Sequence, residues 1–479
     1  YRPDKTTICL MLHENVPESI RTIVLTLKMW KGIIRCYEEN KGKLKLIPVV
    51  GGDKSPIYFQ RLKAKAVVPS KETVENGAYY PFAQYDLLQC MTGPGHAMIL
   101  SGAYPYQNGI TLNSWYNRET EKKTYCVSDG DSYSPKNLRS DTLGDELKNV
   151  SPDSRVVAVS LKNRSAILMG GHRADVALWM ENDLRWTTSP YYQSPAWLEK
   201  FNQSLKALEG KKITWKEEGK FSHSADSKNQ ESQRYPFGLT LTTNAAIHAM
   251  KEMKLGQGAA TDLLAISYSS HDLAGHKFGP NSPEMESLTI AEDKEIATLL
   301  EVLQRQVPGG LKNVLIAFTA DHGVAPGVEY SQAHKLPGMR IQSGEILSQL
   351  EKSLTEKFGK LDGKWILGDI DFQYYFSKLA LNKIPRADLE KAVKEILLQN
   401  PAFAHVFTRG DVERNTLPPG MFERQIKKSY VMDRSGDVVG IVKPFVTGDD
   451  DIFMHFTSYS YDRTVPLIFV GKHIKKGVY

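Results

Sequence analysis

The chain has 479 residues, of which 41% are hydrophobic and 24% charged, a balance that supports a large buried core and excludes a disordered chain. Its formal net charge of +6 is mild for this length and the basic residues are scattered, so no nucleic-acid stripe is indicated; "KHIKK" (472–476) reads as solvated surface. No run of 18 apolar residues occurs, so no membrane span is expected.

Residues 1–42 form an N-terminal segment of unclear role, in which "PESIRTIVLTLKMWKGIIRCYEEN" (17–40) has the length of one helix. From residue 43 onward, short apolar runs alternate with helical periods. "KLKLIPVV" (43–50), "RVVAVSL" (155–161), "DLLAISYSS" (262–270), "NVLIAFTADHG" (313–323) and "VPLIFVG" (465–471) predict strands. Their near-continuous Val, Ile, Leu and Phe point to burial on both faces, as in parallel sheets. Between two of them, residues 282–307 predict a helix, with Leu288, Ile296, Leu299, Leu300 and Leu303 at helical spacing. Ser282 supplies a cap and Pro283 suits the first helical position. Strand–helix alternation of this kind predicts an α/β fold with helices on both faces of a mostly parallel sheet. Residues of about 182–236, rich in Trp, Tyr, Ser and Pro, and of about 335–430, with two or three amphipathic helices, break the pattern and read as insertions.

Four cysteines, Cys9, Cys36, Cys90 and Cys126, form no CxxC pair, which disfavours a thiolate zinc site; two disulfides and buried free thiols both remain open. Sequons stand at Asn149, Asn163 and Asn202 and matter only in a eukaryotic secretory route.

Several predicted strands end in acids or histidines. Asp53 closes "KLKLIPVVGGD". Asp272 and His276 follow the strand at 262–270, four residues apart. Asp321 and His322 stand side by side after the strand at 313–323, and His455 precedes the strand at 465–471. In open parallel sheets, ligands collect beyond the carboxyl ends of the strands. Singly, each residue is explained as a turn, cap or core residue. Together, imidazole and carboxylate without thiolate suit zinc, with manganese, iron or magnesium behind it. Three Asp and three His exceed the needs of one tetrahedral ion; two ions about 4 Å apart use them all.

"TGPGHAMILSG" (92–102) places Thr92 before a glycine-rich entry to an apolar helix. Thr92 as a helix cap is the simple explanation. Thr92 as a nucleophile exposed at the positive end of a helix is the other, with Gly93 and Gly95 letting the backbone approach a ligand.

"TGPGHAMILSG", "GITLNSWYN", "LKNRSAILMGGH", "SSHDLAGHKFGPNSPE", "FTADHGVAP" and "YSYDRTVPLIF" occur in this order. The set resembles the alkaline phosphatase superfamily, and within it the bacterial phosphate-irrepressible type with a threonine nucleophile. The resemblance spans residues of about 43–180 and 235–479 and implies a three-layer α/β/α sandwich with inserted cap segments. It implies two Zn²⁺ ions, one held by Asp272, His276 and His455, the other by Asp53, Asp321 and His322 with the Thr92 hydroxyl. It also implies phosphate contacts from Asn113, Lys162 and Arg164, and a phosphothreonine intermediate. Where the family usually has Gly after the last histidine, this chain has Phe456, a bulky residue expected to shift the loop that carries His455.

The implied activity is hydrolysis of small phosphate monoesters by a periplasmic or secreted bacterial enzyme, a monomer or weak oligomer. A phosphodiesterase or nucleotide pyrophosphatase of the same superfamily is the alternative. It would share the metals and threonine but normally lacks the Lys-Arg pair, so "LKNR" favours monoesters. A sulfatase is disfavoured because no Pro or Arg follows Cys90 at the formylglycine spacing. A glycan on Asn163 would sit between Lys162 and Arg164, which favours a bacterial setting. A non-catalytic binding protein on the same fold is disfavoured by the retained metal-type residues.

Overall fold

The computed structural model describes residues 76–448, 453–472 and 474–479, together with the main chain of 46–51. The segment 1–42, its expected helix, Cys9, Cys36 and Asp53 lie outside the described residues.

The strands that build the molecule are β1 (Leu46–Gly51), β2 (Ala78–Gln84), β3 (Val156–Ser160), β4 (Val176–Met180), β5 (Trp186–Thr187), β6 (Asp262–Ser267), β7 (Ile316–Phe318), β8 (Ile366–Ile370), β9 (Gln373–Phe376), β10 (Phe403–Thr408), β11 (Val438–Val442), β12 (Thr464–Val470) and β13 (Gly477–Val478). The helices that matter for the site are α1 (Thr92–Ser101), α2 (Asn163–Gly170), α3 (Pro236–Glu252), α4 (Ser270–Phe278), α5 (Pro283–Gln306), α6 (Ser343–Phe358) and α7 (Arg386–Gln399).

Nine strands form the central sheet in the order β13-β2-β12-β7-β1-β6-β3-β4-β5. β1 pairs in parallel with both β6 and β7, and β6–β3 and β3–β4 continue in parallel. The sheet is three-layered because its side chains alternate between two cores. Val156, Ala158, Leu263, Ala265 and Ala317 join α1 and α2 in one core. Val157, Val159, Leu264, Ile266 and Ile316 join α3 and α5 in the other. This is period-two alternation with both faces covered, which explains why the strands read as continuous apolar runs. α5 begins as expected: the Ser282 hydroxyl accepts from Met285 N at 3.2 Å and Pro283 takes the first turn.

One expectation is corrected. The run at 465–471 reads as a parallel strand, but β12 is antiparallel to both neighbours, β7 and β2. Burial on both faces demands the same apolar run whichever way the strand points. The reversal brings the start of β12 to the sheet edge where β1, β3, β6 and β7 end, and so brings the preceding His455 there.

Residues 182–236 carry β5, a helix at Leu198–Leu205 and a hairpin of Lys212–Glu217 with Phe221–Asp226. Strands β8 to β11 form a second, antiparallel sheet in the order β8-β9-β11-β10. It packs with α6 and α7 around its own core. Phe456 belongs to that core: it is 4% exposed and its ring lies 5.4 Å from that of Phe372. The bulky residue next to His455 therefore ties the loop to the second sheet instead of crowding the site.

Phe456→Ala is expected to lower stability by about 3–5 kcal/mol in urea unfolding, the usual cost of truncating a buried Phe. A loss below about 1 kcal/mol would contradict this packing role.

Candidate active site and metal centre

The functional side chains stand on one edge of the sheet because the register aligns the strand ends. Gly51 of β1 lies opposite Ser267 of β6, and Ser267 opposite Ser160 of β3. Just beyond those ends come Lys162 and Arg164, Asp272 and His276, and, after β7, Asp321 and His322. Asp53 follows β1 by two residues and is outside the described residues.

The histidines and acids converge. Asp272 opens α4, and His276 sits one turn later on the same face. Asp272 Oδ1 lies 3.2 Å from His276 Nε2, 3.2 Å from His455 Nε2 and 4.0 Å from His322 Nε2. His322 Nε2 is 3.2 Å from Asp321 Oδ2, and the His322 and His455 rings stack with centroids 3.5 Å apart. Each ring is anchored at its other nitrogen by a main-chain carbonyl: His276 Nδ1 to Phe453 O at 2.8 Å, His455 Nδ1 to Cys90 O at 2.9 Å, and His322 Nδ1 to Gly323 O at 2.9 Å. A carbonyl only accepts, so each Nδ1 carries the proton, and a neutral ring then presents the Nε2 lone pair. Three lone pairs and two carboxylates thus face one another, with His276 Nε2 and His455 Nε2 only 3.2 Å apart. Acceptors facing acceptors at this distance repel unless a proton or a metal cation lies among them; burial works against a proton on His276, but Asp272 outweighs it and raises that imidazole. The buried Asp272 Oδ1 and Asp321 Oδ1 make no hydrogen bond in good geometry among the described residues. Asp272, His322 and His455 offer donor atoms within 4.8 Å of one another, all from buried residues. This donor set and spacing fit a divalent metal with nitrogen and oxygen ligands.

The electrostatics agree. Burial opposes ionisation of Asp272, yet Lys162 and His276 hold its carboxyl well below the usual range. Burial likewise works against Asp321, and His322 and His96 outweigh it, so this carboxyl is also held low. Burial and the neighbouring His322 push the His455 imidazole down, which favours the neutral ligand form. Both acids are therefore ionised and His455 is neutral, the states a metal requires.

Thr92 is not the cap of α1. Met91 holds that position, with no side-chain cap bond, and Thr92 is the first helical residue. Its hydroxyl instead lies 3.3 Å from Arg164 Nη2. The expectation of an exposed hydroxyl is corrected: Thr92 is 2% exposed, because α1 is buried along nearly its whole length. The role expected for Gly95 is corrected as well. A Cβ there would lie 2.4 Å from Asp321 O, so this glycine admits the Asp321 segment and not a ligand. Gly93 N donates to Asn113 Oδ1 at 2.7 Å, which fixes Asn113 beside the start of α1. Lys162 Nζ binds Asp272 Oδ2, and Arg164 Nη1 reaches Tyr125 Oη at 3.3 Å. Cys90 and Cys126 are free and buried.

Three supporting residues were not singled out from sequence. His96 links Thr92 O (2.8 Å), Asp321 Oδ2 (3.2 Å) and Ser267 Oγ (2.9 Å). Tyr125 donates its hydroxyl to Asn163 Oδ1 at 2.7 Å, beside Arg164. Asp462 Oδ2 accepts from Phe456 N, Thr457 N and Thr457 Oγ1 at 3.1, 2.7 and 2.6 Å, and its carbonyl accepts from Gly323 N at 2.7 Å. It clasps the segment after His455 to the one after His322. His96 and Asp462 both lie inside motifs quoted above, so the signal was present without a role attached.

Known proteins bear out this architecture. The model of the type I phosphodiesterase / nucleotide pyrophosphatase family matches residues 71–447. Alkaline phosphatase PafA of Elizabethkingia meningoseptica is 30% identical over 444 residues, covering 82% of this chain and 80% of that protein. Alkaline phosphatase PhoD of Zymomonas mobilis is 29% identical over 446 residues, covering 84% of this chain and 76% of its own. A crystal structure of wild-type alkaline phosphatase PafA matches with a TM-score of 0.82 at 28% identity, over 91% of this chain and 92% of its own. The fold is that of the alkaline phosphatase superfamily, and the enzyme is a phosphoric ester hydrolase. Within that superfamily the chain belongs to the type I phosphodiesterase / nucleotide pyrophosphatase family.

The Asp462 clasp has a pH signature. Burial pushes its carboxyl up to about 7 from an ordinary 3.8, against the bonds from Thr457 and Phe456 that favour the ionised form. The native state therefore holds this proton more tightly than the unfolded chain. The stability it contributes is present below about pH 4 and is lost as pH rises through about 7. Asp462→Asn is expected to flatten that loss in urea unfolding between pH 4 and 7; an unchanged slope would contradict it.

Proposed function

We propose that the protein is an alkaline phosphatase that hydrolyses small phosphate monoesters through a phosphothreonine at Thr92, with two zinc ions as cofactors. The observation that carries this reading is the single constellation of Thr92, Arg164 at 3.3 Å from its hydroxyl, and Lys162 bound to Asp272 of the metal-type cluster. The alkaline phosphatases among its relatives support the same reading. Asp272, His276 and His455 would hold one ion; Asp53, Asp321 and His322, with the Thr92 oxygen, would hold the other. When bound, such ions polarise phosphoryl oxygens and lower the pKa of a coordinated hydroxyl or water.

The chain's own groups do the remainder. Thr92 Oγ attacks phosphorus in line with the departing alcohol oxygen, and water later cleaves the phosphothreonine to free phosphate and Thr92. The N-terminus of α1 and the guanidinium of Arg164 favour the negative charge gathered on the equatorial oxygens. Lys162 and Asn113 add donors to the phosphoryl group, and a monoester, with about two negative charges, gains more from these cations than a diester does. His96 positions Asp321 against α1.

The catalytic unit in this reading spans residues 43–479 with insertions at about 182–236 and 335–430. A periplasmic or secreted setting and a monomeric or weakly associating state belong to the same reading. Among the described residues no helix is long and apolar enough to cross a membrane. Small esters, not nucleic acid, are the substrates.

The family description favours one second reading, hydrolysis of phosphodiesters or nucleotide pyrophosphates at the same site. Two experiments test first the mechanism and then the substrate class. Thr92→Ala is expected to lose at least about 10³-fold in 4-nitrophenyl phosphate hydrolysis and to give no phosphoenzyme by mass spectrometry. Wild-type activity in that variant would sink the mechanism. Lys162→Ala combined with Arg164→Ala is expected to weaken monoester turnover about 100-fold more than that of bis-4-nitrophenyl phosphate. Equal losses would favour the diester reading.

A further inference from the structure

Beside the nucleophile lies a cavity of about 350 Å³. One wall is the stretch Lys162 to Arg164, and Arg164 also reaches Thr92, so this side chain links the cavity to the nucleophile. Its other walls come from the end of β4 with the loop after it and from the short helix Gln230–Gln233. The chemistry of these walls is specific. The apolar residues Leu161, Trp179 and Met180 are only 5–6% exposed and present little surface. What faces the space is mainly hydrogen-bonding: the carboxamides of Asn163, Asn182, Gln230 and Gln233 and the carboxylate of Glu181. Gln230 donates to Asn182 across the mouth, and Glu181 is oriented by Trp179 Nε1 at 2.9 Å. Gln233 is 6% exposed, and among the described residues its carboxamide has no hydrogen-bond partner. Its polar atoms are not sealed from solvent, so they exchange water for a ligand that enters the cavity. Tyr133, 36% exposed, adds one aromatic surface on the cavity wall.

Building on the monoesterase reading, we infer that this cavity holds the leaving group and selects polyhydroxylated ones, so that the preferred substrates are sugar or polyol phosphates. Each carboxamide both donates and accepts, as does each hydroxyl of a sugar, and Tyr133 offers a platform for the sugar's CH face. A simple alkyl leaving group would offer Gln233 no partner in place of the water it displaces, and specificity of this kind arises from such unpaired groups.

The test compares glucose 6-phosphate with ethyl phosphate, both esters of primary alcohols, so that the chemistry of the broken bond is matched. Wild-type kcat/KM is expected to favour glucose 6-phosphate by about 10-fold or more. Gln233→Leu is expected to cut that preference about 3–10-fold, the worth of one neutral hydrogen bond. Asn182→Ala, on an exposed loop, is expected to lower it in the same direction and serves if Gln233→Leu does not fold. Absence of a preference in the wild type, or equal losses on both esters in the variants, overturns the inference while 4-nitrophenyl phosphate turnover leaves the monoesterase reading standing. A wild-type enzyme that hydrolyses none of the three esters overturns that reading, and this inference with it.

Discussion

Three imidazole nitrogens and two carboxylates are forced into one buried space, where only an added proton or a metal cation makes them mutually attractive. Main-chain carbonyls of Phe453, Cys90 and Gly323 take the Nδ1 protons of His276, His455 and His322. Neutral rings then turn lone pairs toward Asp272, and a separation of 3.2 Å between two Nε2 atoms is unfavourable without a cation. The fold tolerates this cluster because its burial and its anchoring come from elsewhere. The site is organised around a charge that the protein's own side chains demand.

The sheet supplies the anchoring. Parallel strands ending in register deliver Asp272 and Asp321 from the two strands that flank β1, and the reversed β12 returns the chain so that His455 joins them. Close approach of α1 to the Asp321 segment needs Gly95, whose missing side chain makes room. His96 then ties helix to acid. On the far side, Phe456 and the Asp462 clasp fix the His455 loop to the second sheet and to the His322 segment. Rigid elements thus hold Asp272, Asp321 and the three histidines from behind, the arrangement a preorganised centre requires.

Much of this was legible in the sequence, for physical reasons. Strands buried on both faces announce themselves as apolar runs, and acids or histidines closing such runs stand out because burial without a purpose is costly. Ser282 and Pro283 marked the start of α5 by cap chemistry alone. What stayed illegible depends on partners remote in the chain. The direction of β12 leaves no mark on its composition. Phe456 reads as an obstruction until the core formed by Phe372 and its neighbours is seen. The burial of Thr92 follows from the whole of α1 being enclosed, which a local glycine-rich motif does not report. His96 and Asp462 sat in plain view, but their partners lie up to 225 residues away in Asp321 and six or fewer in the His455 loop, and only the fold brings both kinds together.

The cluster at the carboxyl edge has the donor set of a metal-binding centre. Zinc titrated calorimetrically into the metal-stripped protein tests it most directly, with His455→Ala as the comparison. Two zinc ions are expected to bind saturably per wild-type chain, with one site lost in the variant. Absence of saturable binding, or identical binding in the two proteins, would contradict it.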